Sequence, residues 1–404
     1  MAKALLNLDG VQVRRGMRTV LDGCSLAVNS GQTVVLTGAN GAGKSTLLET
    51  AVGLLPMEAG RVYHGDMLVA DDEGRRRTAP QTLGMVLQRN GMLGSELLGE
   101  HLSTAMAMSG QSVETEPFLK AFNLTHRAND LVAHLSQGQA RKVAVLAGLL
   151  PAFASTEPAL VILDEPDAGL DDASIETLVS WINELRGMGH GLLIATHDER
   201  IVEQATHLFD VDKGEARTAS APEDVHPAIR SATTVKPVSR AAFGVHIHLR
   251  TMMWLNTNAM AGLLTLGILL ALGDFMDGLD ALQRMGFLLA PTLAVGLCGE
   301  PLVAALREER AGVWWRAVGG GEPHAGWIPL AIGAAFTFLS TNGLGEAGEA
   351  STVLVGAALC FVVWHSVGWM QRSTQRLARP HAVFVGLLTP VLILPYSLLI
   401  SVLA

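Results

Sequence analysis

Three cysteines in 404 residues are too few and too scattered for a disulfide framework or a thiolate metal site: Cys24, Cys298 and Cys360 show neither pairing nor ligand spacing. Charge is scarce too. Only 17% of the residues are Asp, Glu, Lys or Arg, and the net charge of −9 leaves no general basic surface for nucleic acid. No internal repeat is visible. The N-terminus lacks a secretory apolar stretch, so the first domain is expected to begin and stay in the cytoplasm.

Apolar residues are plentiful instead, at 49%. The mean hydropathy of +0.33 is oily for a soluble protein, and the chain is too long for one ordinary domain. The apolar residues are unevenly spread. Up to about residue 210, short apolar runs alternate with charged and turn segments, as in a globular α/β domain. From residue 254 onward the apolar stretches are long. Between them Asp212–Arg240 is polar and rich in Pro, Ala, Ser and Thr, the composition of a linker. The expected division is therefore an α/β domain over 1–211, a linker over 212–240 and a membrane domain over 241–404.

The nucleotide assignment rests on Thr33–Thr37 (TVVLT), a β-branched run followed by Gly38–Ser45 (GANGAGKS) and then by apolar residues at helical spacing. Strand, glycine loop and helix are the context that a phosphate-binding loop requires. Gly38, Gly41 and Gly43, with Asn40 between them, let backbone N–H groups turn toward phosphate oxygens. Lys44 reaches the β- and γ-phosphates, the Ser45 hydroxyl is placed to ligate Mg²⁺, and Thr46 continues the motif. A second apolar strand, Leu160–Leu163, ends in Asp164-Glu165-Pro166. Four apolar residues in a row suit a parallel strand buried on both faces, and carboxylates at its C-terminal end project where α/β sheets bind ligands. Asp164 is the candidate partner of Mg²⁺ and Glu165 the candidate base that polarises the attacking water. Gly191–Thr196 delivers His197 in the same way, an imidazole able to hold γ-phosphate, water and Glu165 in line. Gln88, after Gly84–Leu87, carries an amide able to meet Mg²⁺ or the water.

Leu135–Gln139 (LSQGQ) is polar and glycine-bearing, with apolar residues at helical spacing after it. Ser136 suits a helix N-cap, and a helix start offers free N–H groups to an anion. No phosphate-binding loop adjoins it in sequence.

Together GANGAGKST, Gln88, LSQGQ, LVILDEP, the AGLD at Ala168–Asp171 and His197 resemble, in order and spacing, the Walker A, Q-loop, signature, Walker B, D-loop and H-loop of ABC-type ATPases. The resemblance covers roughly the first 210 residues. It implies ATP and Mg²⁺ as cofactors and an ATP-hydrolysing domain. It also implies that Ser136, Gly138 and Gln139 bind the γ-phosphate held by the P-loop of a second ATPase domain. Two positions depart from the pattern. Gln137 replaces the commoner glycine of the signature. Arg15-Gly16 stands where the family carries an aromatic residue that stacks on adenine, although a guanidinium plane can also stack on a base.

In the second half, five apolar stretches are long enough to cross a hydrocarbon layer: Leu255–Gly273, Met285–Leu306, Trp327–Leu344, Ser351–Met370 and Ala382–Ala404. With the ATPase inside, Asp274, Asp277, Asp280, Glu346 and Glu349 fall outside. Arg307, Arg310, Arg316, Arg372, Arg376 and Arg379 fall inside, the positive-inside pattern. Trp254, Trp314, Trp315, Trp327, Trp364 and Trp369 all sit at or near inner ends, as interfacial anchors would. Arg240–Met253 could lie along the inner surface as an amphipathic connecting helix. Arg307–Gly319 (REERAGVWWRAVG) is similar in position to the cytoplasmic coupling segment of ABC-2-type exporters, including haem-exporter-like subunits, which usually have six spans rather than five. Glu300 and His365 are ionisable residues within spans: a functional role and snorkelling to the interface are both open for each.

The expected fold is thus an α/β P-loop NTPase of the ABC type followed by an all-α polytopic transmembrane domain of about five helices. The expected function is an ATP-driven half-transporter, an exporter by analogy. It would act in the cell membrane as a homodimer through both domains, in contact with the bilayer and a substrate that the sequence does not identify. The alternative is a membrane-anchored ABC ATPase that transmits force or signal to a partner without transport.

Overall fold

The structure is a computed structural model that describes residues 3–222, 232–271, 281–344 and 350–373. The fifth expected span, Asp274, Asp277, Asp280, Glu346, Glu349, Arg376 and Arg379 lie outside the described residues. The chain forms two compact units: Met1–Arg240 together with Leu306–Glu322, and Ala241–Ala305 together with Pro323–Ala404.

In the first unit, β1 (Ala4–Arg15) and β2 (Arg18–Asn29) make a hairpin, and β3 (Thr33–Thr37) runs through the glycine loop into α1 (Lys44–Ala51). A second hairpin, β4 (Ala59–His64) and β5 (Met67–Asp71), joins the first in an antiparallel sheet of order β2-β1-β4-β5. Then follow β6 (Leu83–Val86), α2 (Leu98–Ala107), β7 (Gln111–Ser112), α3 (Glu116–Ala121) and α4 (Gln137–Ala154). After these come β8 (Leu160–Asp164), α5 (Asp172–Gly187), β9 (Gly191–Ala195), α6 (Glu199–Val202), β10 (His207–Asp210) and β11 (Glu215–Thr218). The short β12 (Thr233–Thr234) pairs with β7.

The central sheet has the order β11-β10-β3-β9-β8-β6, parallel except for the β10–β11 pair. Every residue of β8 and β9 is buried, which is why these strands read as unbroken apolar runs rather than alternating ones. α4 crosses β6 where glycine meets glycine: a Cβ on Gly84 would collide with the carbonyl oxygen of Gly148. That close approach fixes how α4 lies on the sheet, and so where its N-terminus falls.

The second unit is helical. α7 (Arg240–Thr251) is followed, after a bend of 65°, by Leu255–Ala271, a π-helical turn at Leu255–Ala259 leading into α8 (Met260–Ala271). Then come α9 (Ala281–Leu288), α10 (Ala290–Leu297) and α11 (Leu302–Ala305). The chain next gives α12 (Ala311–Val318) to the first unit and returns as α13 (Ile328–Gly343) and α14 (Ala350–Ser373). Ala259, Val295, Ile332, Phe336, Cys360 and Trp364 form the core of this unit. At its helix crossings a Thr292–Thr337 hydroxyl pair (2.8 Å) and the amide of Asn258, which donates to the Val295 and Gly299 carbonyls, satisfy polar groups internally.

Five uninterrupted spans are not what the described residues show. Among them only α14, with 24 residues, is long and apolar enough to cross a membrane unbroken, and the bent pair Arg240–Thr251 with Leu255–Ala271 is a second at most. The expected span Met285–Leu306 is broken around Leu289 and again at Cys298–Pro301, where Gly299 adopts a φ of 71°. Pro291 and Pro301 supply no backbone N–H at those breaks. The expected Trp327–Leu344 appears as α13, whose 16 residues reach about 24 Å.

Candidate active site

β3 ends at Thr37, and the chain wraps from Gly38 to Gly43 before α1 begins at Lys44. The Lys44 ammonium donates to the carbonyls of Gly38 (2.8 Å) and Ala39 (3.2 Å), which holds the loop closed around its own cation. Asp212 accepts from the Ala39 N–H at 3.0 Å and ties the loop to the end of β10. A cleft of about 510 Å³ opens in front of this loop, lined by Val20, Asn40, Gly41, Gly43, Lys44, Ser45, Thr46, Gln88, Glu165 and His197. Strand β8 carries Asp164 to the same place, where it accepts from the Ser45 hydroxyl at 3.0 Å. Burial pushes the Asp164 carboxyl up to about 6; the Ser45 hydrogen bond opposes this, while the nearby Glu165 and Glu49 charges add to it. A hydroxyl and a carboxylate side by side fit a hard divalent cation held jointly with phosphate oxygens. Among the described residues no cluster of three His, Cys, Asp or Glu side chains forms an all-protein metal cage.

Glu165 has a φ of 48°, a left-handed conformation that a non-glycine residue adopts only when its surroundings impose it. Both ends of its backbone are pinned: its N–H donates to the Ala195 carbonyl (2.8 Å), and its carbonyl accepts from Arg141 (2.5 Å). The carboxylate is thereby turned into the cleft beside Gln88 and His197. Arg141, 5% exposed, also donates to the carbonyls of Leu87 and Asp164, so one guanidinium holds the approach to Gln88 and the end of β8 in a fixed relation. Sequence reasoning passed over Arg141; a charge on the buried face of an otherwise apolar helix was its only signal.

The other expected residues lie elsewhere. Ser136 is the N-cap of α4, accepting from the Gln139 N–H, while the Gln139 side chain accepts from the Ser136 N–H. Gly138 approaches the carbonyl of Gly169. None of these three lines the cleft of its own chain. Arg15 does not line it either. Its guanidinium is half-exposed and pairs with Glu49 of α1 at 3.1 Å.

Leu306–Glu322 packs within the first unit. After a tight turn in which Glu309 and Arg310 both have positive φ, α12 buries Trp314 and Trp315. The Trp314 indole donates to the Met85 carbonyl at 3.2 Å, and its ring lies 5.1 Å from that of His101. The Gly91 N–H, three residues after Gln88, donates to the Glu309 carbonyl at 2.8 Å, and Arg310 pairs with Glu49 at 2.5 Å. The expectation that all six tryptophans are interfacial anchors is therefore corrected. Trp314 and Trp315 are buried in the first unit, and Trp364 is buried in the second unit, because each indole found an acceptor or a packed groove inside protein. Trp327 and Trp369 remain exposed.

Glu300 does not snorkel: it is 2% exposed. One of its oxygens lies 2.7 Å from His248 Nε2, and the other accepts from the Ala325 N–H and the Trp364 indole. His365 Nε2 lies 3.0 Å from the Gly326 carbonyl, and its ring packs edge-on against Phe361.

Residues 21–168 match the family model described as ABC transporter. The chain is 36% identical over 198 residues to the cytochrome c biogenesis ATP-binding export protein CcmA of Gluconobacter oxydans (strain 621H), covering 48% of this chain and 81% of that one. It belongs to the ABC transporter family. Its similarity to the lipoprotein-releasing system ATP-binding protein LolD of Xylella fastidiosa (strain Temecula1 / ATCC 700964) is 32% over 212 residues, covering 50% of this chain and 86% of that one. A solved ATP-binding subunit of an ABC transporter is 28% identical, with a TM-score of 0.47, and covers 53% of this chain and 90% of its own. As an ABC ATPase the first unit binds and hydrolyses ATP.

Proposed function

We propose that this chain is an ATP-driven half-transporter that works as a homodimer in the cell membrane, with the ATPase cytoplasmic and the remainder of the chain, 241–404 after a 212–240 linker, embedded as a polytopic domain. Mg²⁺ is held by Ser45 and, more remotely, by Asp164 and Gln88. Glu165 polarises the attacking water, and His197 aligns it with the γ-phosphate. Lys44 and the loop N–H groups hold the phosphates, and Arg15 stacks on the base. Ser136, Gly138 and Gln139 serve the opposite chain, a reading supported by a helix start that does not line the cleft of its own chain. The relatives named for export and for lipoprotein release support an outward direction and leave the cargo open.

The observation that carries this reading is the seat of α12. A segment flanked on both sides by the helical unit is clamped beside the Gln88 loop through Gly91 and Trp314. A change at Gln88 on nucleotide binding therefore acts directly on a segment continuous in sequence with the proposed spans. The test is ATPase activity of the full chain in lipid vesicles, with a panel of lipophilic dyes and single-chain lipids added. These should stimulate the wild-type rate. Trp314→Ala should keep the basal rate within about twofold but lose the stimulation. Glu165→Gln should bind ATP yet turn over on the order of 10²-fold more slowly or worse. Absence of stimulation in the wild type would favour the anchored ATPase without transport.

A further inference from the structure

Glu49 lies on α1 five residues after Lys44, with its side chain 5% exposed. Each carboxylate oxygen takes one guanidinium. Oε2 pairs with Arg15 at 3.1 Å and Oε1 with Arg310 at 2.5 Å. Among the described residues these two arginines are its ion-pair partners, and they come from regions with different duties. Arg15 ends β1 of the hairpin whose Val20 lines the nucleotide cleft. Arg310 opens α12 in the segment clamped by the Gln88 loop. Both arginine side chains are partly exposed, at 50% and 32%, whereas the carboxylate between them is buried.

A buried carboxylate stripped of counter-charge is costly, so an arginine left as its sole partner is held harder than one that shares it. Two guanidinium groups on one carboxylate also repel each other. The two contacts are therefore anticooperative. We propose that Glu49 is a positioning residue shared by the base end of the nucleotide cleft and the Arg307–Gly319 segment: a purine base that draws Arg15 off Glu49 leaves Arg310 as the remaining partner and fastens the segment to α1. The reverse follows by linkage, since loosening Arg310 binds Arg15 more tightly to Glu49 and weakens the grip on the base. This rests on the reading of Arg15 as the base-stacking residue. Glu49 touches neither phosphate nor water in this scheme. It transmits occupancy from one arginine to the other.

The experiment is a binding cycle on the full chain, with Mg²⁺ plus the non-hydrolysable ATP analogue AMP-PNP as one probe and Mg²⁺ plus inorganic tripolyphosphate, which has no base, as the other. Arg310→Gln should raise the Kd for AMP-PNP roughly fivefold or more and leave that for tripolyphosphate unchanged. Arg310→Lys, which keeps a cation at Glu49, should restore it. In an Arg15→Gln or Glu49→Gln background, Arg310→Gln should have no further effect. The ratio of the two affinities separates this from a merely structural role, which would move both probes together. A shift of equal size in all backgrounds, or equal on both probes, overturns the shared acceptor. Arg15→Gln that fails to weaken AMP-PNP relative to tripolyphosphate overturns the base-stacking reading, and the proposal with it. Because both arginines are partly exposed, the Arg15–Arg310 arm does not depend on the buried Glu49 variant folding.

Discussion

The two units use the same apolar residue types in opposite ways. In the first, leucines, valines and isoleucines fill β3, β8, β9 and the buried face of α4, and among the described residues Met17 is the one large hydrophobic side chain left exposed. In the second, sixteen of the described residues are exposed large hydrophobics, among them Leu263, Leu264 and Ile268 on α8, Phe338 on α13, and Leu354 and Val362 on α14. Its interior, like that of the first, also holds polar groups: Glu300, His248, Asn258 and the Thr292–Thr337 pair. A domain in water minimises exposed apolar area, whereas one in lipid has no reason to. The contrast supports lipid as the solvent of the second unit and argues against the buried core helices of a soluble protein.

The most damaging way to probe that polar interior is Glu300→Ala. It leaves His248, the Ala325 N–H and the Trp364 indole facing a void in a buried setting, and should destabilise the second unit by about 3–5 kcal/mol. Glu300→Gln, which keeps an acceptor for the two N–H groups, should cost less than half of that. Denaturant unfolding of the full chain in detergent, followed by tryptophan fluorescence, reads both; an Ala variant as stable as wild type would remove Glu300 as the pin of this unit.

A paired substitution tests the solvent itself. Leu264, 64% exposed, and Met17, 92% exposed, are equivalent if both face water. Asp at position 17 should then change stability by less than about 0.5 kcal/mol. Asp at position 264 should weaken membrane insertion by about 2.5–3.5 kcal/mol. The readout is the fraction of each variant recovered with membranes after carbonate extraction. Indistinguishable recovery would erase the contrast between the units.

The smallest effect sharpens the water-soluble side. His190, 1% exposed, accepts from the Ala159 N–H at 2.9 Å. Burial lowers its pKa to about 4, and the nearby Ala152 carbonyl opposes this in part. The folded state thus disfavours the imidazolium, so this contribution to stability is present above about pH 6.5 and is lost as the pH falls toward 4. Between pH 7 and 5 the first unit should lose about 2 kcal/mol from this group, and His190→Gln should flatten that slope in urea titrations.

What could be read from the sequence divides along the same line. The residues that line the cleft were legible because phosphate chemistry confines them to short segments: a glycine loop before a helix, and polar residues at the ends of apolar strands. Arg141 and the left-handed backbone of Glu165 were not, because both depend on carbonyls brought together from β8, β9 and the Gln88 loop. In the second half the apolar pattern indicated helices but not their breaks, since composition is blind to where Pro291, Gly299 and Pro301 interrupt them. The tryptophans misled for a plain reason. An amphipathic aromatic helix has the same pattern whether its apolar face meets lipid or, as for α12, a groove in protein. Nor could spacing foretell that Glu300 and His248 would meet, 52 positions apart.

The insertion of Leu306–Glu322 into the first unit has a consequence for biosynthesis. The contacts it makes are among the most distant in the chain, with Arg310 and Glu49 separated by 261 positions and Trp314 and Met85 by 229. A ribosome that has finished residue 240 must add about 80 more before the ATPase unit can close, roughly 4–16 s at 5–20 residues per second. Throughout that interval the groove beside Met85, Gly91 and His101 has no occupant of its own. The nascent unit must wait with that surface uncovered while α7 to α11 are still being made, so its folding can be completed only after that of the proposed spans has begun.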